Sequence, residues 1–262
     1  RTVVIKALRD WWRNRAAAKV DIDEALWAQA EAGLPFLARL DTPEKTRLRE
    51  MAHRFIATKE WTGAQGLALT AEMQVSIALQ ACLPVLNLGL EAYDGWVGVV
   101  VYPGDFVIPR QTMDQDGVIH EYDDVVLGEA WDGGPVILSW FDDPEDAWGV
   151  NVVIHEFAHK LDMRNGVADG FPPLHAGMSR EAWRAAFASA FADFGRRVDS
   201  GEETELDPYA AESPGEFFAV TSEAFFEAPD LLRAEYAAVY AQLALFYRQD
   251  PAAFEPGADQ AG

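Results

Sequence analysis

The sequence predicts an α+β fold, on three observations. Residues 1–60 carry a helical apolar period with short polar breaks. Residues 95–140 hold runs rich in Val and aromatics, broken by turn pairs such as Pro103-Gly104 and Asp116-Gly117. From residue 148 onward the helical period returns. Helices, then a small sheet, then helices is the order of an α+β chain.

Along the chain, Val4, Leu8, Trp11 and Trp12 form one helical stripe with Arg9, Arg13 and Arg15 between them. Core packing is the expectation for it, and a membrane-surface or partner-binding helix the alternative. Asp23–Ala32 reads as a helix stopped at Gly33-Leu-Pro35. Thr42-Pro43 opens the next, with Pro at the first helical position and Glu44 behind it, running to about Thr58. Thr70 caps Ala71–Cys82, and Pro84 ends that segment. Gly95–Tyr102 is a strand, Phe106–Ile108 continues the sheet, and Val118–Tyr122 and Gly134–Trp140 are further strands. Asp142–Asp146 is a loop, and a helix follows from about Trp148 to Met163. Asn165–Pro173 is turn-rich. Ser179 caps a helix to about Val198 whose apolar face includes Trp183, Phe187, Ala190 and Phe194. Ser213-Pro214 starts another, ending near Glu227, and Asp230–Tyr247 forms the last. With no repeat and no long linker, one domain is expected over 1–262: a helical part (1–60), a core (61–250) and a flexible tail (251–262).

Composition narrows the function. The net charge of −22 repels phosphate backbones, so nucleic-acid binding is not expected, although Arg9–Lys19 is locally basic. The single cysteine, Cys82, lies in an apolar stretch and has no partner for an internal disulfide, which fits a reducing cytoplasm and a buried thiol. No apolar run reaches the ~18 residues that span a bilayer, and Thr2–Leu8 is too short for a signal-peptide core. Membrane and secretory roles are therefore not expected.

His155-Glu156-Phe157-Ala158-His159 carries the chemistry. On a helix, His155 and His159 stand one turn apart on one face, so two neutral imidazoles reach one Zn²⁺ ion. Glu156 lies on the adjacent face, in position to act as general base toward water. A catalytic zinc needs a third protein ligand. The pattern that supplies a third His would place it at position 165, where this chain has Asn165. Glu216 and Glu223 are the remaining candidates, seven residues apart and so on one helix face. Spacing alone does not choose between them. Glu216 also fits a capping box with Ser213, and Glu223 fits a carboxylate that orients a histidine. His53, His120 and His175 lie at no ligand spacing. Tyr209, just ahead of the Ser213 helix, either packs at the helix start or donates to an oxyanion.

Gly134–Trp140, Asn151–Met163, Leu67–Cys82, Tyr93–Pro103, Gly128–Trp131 and Asp207–Glu212 with Glu216–Phe226 closely resemble the Mlc titration factor A family, over roughly residues 25–250. The resemblance implies a zincin-like metallopeptidase fold of the gluzincin type, with a small mixed sheet against the active-site helix. It implies one Zn²⁺ held by His155, His159 and Glu216, with Glu156 and Tyr209 catalytic. Glu223 and Asp162 are then supporting carboxylates. It further implies a cytoplasmic location, aminopeptidase-type activity on short peptides and binding of a Mlc-like transcriptional repressor. Arg164-Asn165-Gly166 departs from the expected Leu-Asp-Gly, which bears on substrate preference and not on the metal site.

Two readings of different class follow. In the first, water is activated at zinc, Glu156 carries its proton to the leaving amine, and strand Gly134–Trp140 offers an exposed edge that aligns the peptide. In the second, the chain sequesters a repressor, its acidic surface complementing a basic partner, and the zinc is mainly structural. A zinc hydrolase acting on esters is a weaker third.

Overall fold

The computed structural model describes residues 22–113, 119–141 and 151–253. The stripe at Val4–Trp12, the basic stretch Arg9–Lys19, the turn at Asp116-Gly117, the loop Asp142–Asp146 and the end of the tail lie outside them.

The first three α-helices of the described chain each start where a side chain caps them. Asp23 accepts from the Leu26 amide at the head of α1 (Glu24–Ala32). Asp41 and Glu44 form a reciprocal capping box on α2 (Thr42–Thr58), so the cap sits one residue before the expected Thr42. Thr70 caps α3 (Ala71–Cys82).

The sheet strands are β1 (Glu60–Gly63), β2 (Gly98–Pro103), β5 (Gly128–Ala130) and β6 (Val136–Trp140), in the order β1-β2-β6-β5. β1, β2 and β6 are parallel, and β5 runs antiparallel to β6. This is the small mixed sheet expected. Three details differ. β1 and β5, of four and three residues, are too short to carry a period. β3 (Phe106–Met113) does not extend the sheet; it pairs antiparallel with β4 (Ile119–Val126) as a separate hairpin. β6 is not an edge: β2 flanks it on one side and β5 on the other. Its Val-Ile-Leu run already marks an interior strand, and Val136 and Leu138 are fully buried. Among the described residues β5 is the terminal strand of the sheet on the side of β6.

The remaining helices are α4 (Val152–Asp162), α5 (Arg180–Asp199), α6 (Pro214–Glu227), α7 (Pro229–Glu235) and α8 (Ala237–Tyr247). The expected single helix over Asp230–Tyr247 breaks at Tyr236, which leaves helical geometry (φ −134°, ψ 64°). Its ring packs edge-on against Phe194 and Phe217, and its hydroxyl donates to Asp193. Tertiary packing here overrides local propensity.

One apolar core runs from Trp27 to Tyr247. At its centre Phe157, on the inner face of α4, meets Phe55, Tyr93 and Trp96 with ring centroids 5.6, 5.1 and 5.7 Å away. That aromatic nest, with the apolar β6 face beneath it, fixes α4 and turns the opposite face of the helix toward α6. Among the described residues, no helix is long and apolar enough to cross a membrane.

Candidate metal centre

Asn151 starts α4, accepting from the Ile154 amide at 2.9 Å, in place of the earlier start expected near Trp148. One and two turns on, His155 and His159 face α6. From α6 comes Glu216, in the first turn. Ser213 caps α6 by accepting from the Glu216 amide at 3.1 Å. Glu216 does not reciprocate as a capping box would; its side chain turns to the imidazoles. His155 Nε2 lies 3.0 Å from Glu216 Oε2, His159 Nε2 lies 3.2 Å from the same oxygen, and the two Nε2 atoms are 3.1 Å apart. Such a triangle matches one face of a tetrahedron, whose edges are ~3.3 Å for ligand distances of about 2.0 Å. Two imidazole nitrogens and a carboxylate oxygen converging at this spacing form a set that can hold a metal ion. His155, Glu156 and His159 are buried, and Glu216 is half-buried.

Glu223 stands two turns along α6, and its role in the geometry is distinct. Its Oε1 lies 2.6 Å from His155 Nδ1, leaving Nε2 to the cluster, and its Oε2 accepts from the Asn151 amide at 2.9 Å. His159 Nδ1 is buried with no hydrogen-bond partner among the described residues. Asp162 is also buried, and its carboxyl accepts from Gly170 N at 2.7 Å. Burial raises its pKa to about 7 against the lowering effect of that bond. The Asp162 contact holds the 163–173 segment against the start of α6. There Gly170 (φ +74°) leaves no room for a Cβ, which would come 2.4 Å from the Pro214 carbonyl oxygen.

Glu156 Oε2 is buried and unpartnered among the described residues. Burial raises its pKa, partly offset by His155 and His159. Gly128 on β5 makes room for it: a Cβ there would stand 2.5 Å from Glu156 Oε1. Gly128→Ala is accordingly expected to displace the Glu156 carboxylate and, with Glu156 as general base, to cut peptide turnover about 10²-fold, the cost of moving a reacting group by ~1 Å. Metal content, measured in the same samples, should stay at the parent level; a fully active Gly128→Ala protein would contradict this. Lys160 ties the turn after β5 to α4, donating to Trp131 O at 2.5 Å and Gly134 O at 2.8 Å. Burial lowers its pKa to about 8.

Tyr209 sits in the 3-10 turn Pro208–Ala211, its ring 6.2 Å from that of His155 and 50 % exposed. It therefore borders the cluster from the open side. His175 is elsewhere, stacked on Phe246 with Nε2 2.7 Å from the Phe246 carbonyl oxygen. His53 is half-buried on α2 and takes no part in the cluster. The side chain of His120 lies outside those described. Asn151, Gly128, Lys160 and Glu227, which holds Asn151, were not singled out by the sequence. Asn ahead of an apolar helix was the available signal for the first.

Protons compete with metal here. Burial opposes protonation of His155, but its bonds to Glu216 and Glu223 outweigh this and raise its pKa well above 6.5. Glu216 moves the other way: burial raises it, and the two histidines bring it down to about 2. In the metal-free protein, the stability due to His155 is complete below pH 6.5 and is lost as pH rises through the raised pKa. The stability due to Glu216 is present above its ordinary value of 4.5 and is lost as pH falls toward 2. A metal must displace the His155 proton, so affinity is expected to rise more than tenfold from about pH 6 to about pH 8, with proton release. Calorimetry in buffers of different ionisation enthalpy measures that release; none, with affinity flat in pH, would contradict it.

The profile of the family described as glucose-regulated metallo-peptidase M90 matches residues 8–248. Proteins described as Mlc titration factor A from Yersinia pestis (strain Pestoides F) and Yersinia pseudotuberculosis (strain YPIII) are each 40 % identical over 248 residues, covering 93 % of this chain and 90 % of theirs. The match runs through both helices that build the cluster, and the chain belongs to the glucose-regulated metallo-peptidase M90 family.

Proposed function

We propose that the chain is a zinc-dependent metallopeptidase, zincin-like and of the gluzincin type, acting as one domain that removes residues from the N-termini of short peptides. The observation that carries this reading is the convergence of His155 Nε2, His159 Nε2 and Glu216 Oε2 within 3.2 Å of one another beside the buried Glu156. Nitrogen and carboxylate donors in a set of three, with space for water, suit zinc. When bound, zinc lowers the pKa of a water molecule toward ~7 and polarises a carbonyl.

The chain's own residues do the rest. Glu156, with its raised pKa, takes a proton from water and hands it to the departing amine. Tyr209 donates its phenol proton as a hydrogen bond to the oxygen on which charge develops. The glycine at 128 lets the Glu156 carboxylate seat itself against β5. The test is a peptide-library digest with and without chelator. Loss of single N-terminal residues, abolished by chelator and restored by zinc, is expected; internal cleavage alone would refute the aminopeptidase reading, and no cleavage the peptidase reading.

The name of the Yersinia relatives, Mlc titration factor A, favours a second, compatible role: binding a Mlc-like transcriptional repressor in the cytoplasm. The chain's net charge of −22 suits a basic partner. Capture of that repressor by the Glu156→Gln protein as well as by the parent is expected, because sequestration requires no turnover. Absence of binding to both would remove this role.

A further inference from the structure

Helices α4 and α6 meet along one row of polar residues on each. Asn151, His155 and His159 follow at intervals of four, the first as cap and the others within α4. Glu216, Glu223 and Glu227 follow at intervals of seven and four on α6. At ~100° per residue these three carboxylates lie within about 40° of one another around the axis. The rows run antiparallel: Asn151 meets Glu227 and Glu223, His155 meets Glu223 and Glu216, and His159 meets Glu216.

Three of the bonds of Asn151 lie at the end of this row. Its Oδ1 accepts from the Ile154 amide at 2.9 Å, its Nδ2 donates to Glu227 Oε1 at 2.7 Å, and its own amide donates to Glu223 Oε2 at 2.9 Å. Glu223 spends its other oxygen on His155 Nδ1 at 2.6 Å. The carboxylate that orients a ligand histidine is thus held by the residue that begins the ligand helix, and that residue is held by Glu227. The side chain has to be an amide to accept from the helix and donate across to α6 at once; Asp keeps the acceptor alone, and Ser keeps the cap but withdraws the reach toward Glu227. Glu227 is partly buried, so its bond to Asn151 is shielded from water.

We propose that Asn151 and Glu227 are positioning residues that set the rotation of α4 against α6, and through it the approach of both imidazoles to Glu216. This rests on the reading of His155, His159 and Glu216 as a metal site. The prediction is read from zinc affinity, not from activity, by competition of the full chain against a chromophoric chelator. Asn151→Ser and Glu227→Leu are each expected to weaken zinc binding about tenfold, within the range for loss of groups that support a ligand. Because the two act through one bond, the double variant is expected to be no weaker than the weaker single. Glu227→Gln keeps an acceptor for Asn151 and is expected within about twofold of the parent.

A parent chain that binds no zinc would end the metal-site reading itself. A parent that binds zinc, with Asn151→Ser and Glu227→Leu binding equally well, would overturn this proposal alone. So would losses that add independently in the double variant, or a Glu227→Gln protein as weak as Glu227→Leu. If Asn151→Ser does not fold, the Leu and Gln variants at 227 still decide, since both leave the cap on α4 in place.

Discussion

Glu156→Gln is expected to lower peptide turnover by about 10²–10⁴-fold, the range for loss of a positioned general base. Metal content is expected to stay at the parent level. The reason is geometric. Glu156 lies one residue from His155 but on another face of α4, outside the triangle formed by the two Nε2 atoms and Glu216 Oε2. Its Oε2 is buried and unpartnered among the described residues, so an isosteric amide changes its basicity without breaking a structural bond seen there. Burial raises its pKa, which brings the group closer to the pH at which it must both accept and release a proton. Equal rates of peptide cleavage for the variant and the parent, at equal metal occupancy, would exclude Glu156 as the base.

The second large effect separates two carboxylates that spacing could not. Glu216→Ala is expected to weaken metal binding by more than ~100-fold, beyond the ceiling for residues that only support a ligand. Glu223→Ala is expected to cost about tenfold, because it loses the orientation of His155 and keeps all three converging atoms. Glu216 Oε2 reaches both imidazoles, at 3.0 and 3.2 Å, whereas Glu223 reaches only the outer nitrogen of His155. Metal titration of the two variants side by side decides this. Retention by Glu216→Ala with loss by Glu223→Ala would exchange their roles.

Much of this site was legible in the chain because its signals are local. The i,i+4 histidines and Glu156 declare a helix with a reactive face, and Asp23, Thr70, Ser179 and Ser213 mark where helices begin. The α+β order was legible for the same reason, whereas the mixed sheet came from the family resemblance. What escaped depends on distance in sequence. Glu216 has a good local explanation as a capping residue, and only the imidazoles 57 and 61 residues away redirect its side chain. β1 and β5 are strands because β2 and β6 pair with them, not because three or four residues have a period. The edge assigned to β6 failed on the same point: burial of Val136 and Leu138 comes from neighbours on both sides. Gly128 gives no local signal of its role; its reason is the Glu156 carboxylate that fills the space of its missing Cβ. The break at Tyr236 has no local cause and follows from its seat between Phe194 and Phe217.

The most direct test is a crystal of the full chain grown with excess zinc and recorded on both sides of the zinc absorption edge. A single strong anomalous peak is expected within about 2.0–2.2 Å of His155 Nε2, His159 Nε2 and Glu216 Oε2. Zinc bound only at other residues, with those three side chains turned away from one another, would contradict the account.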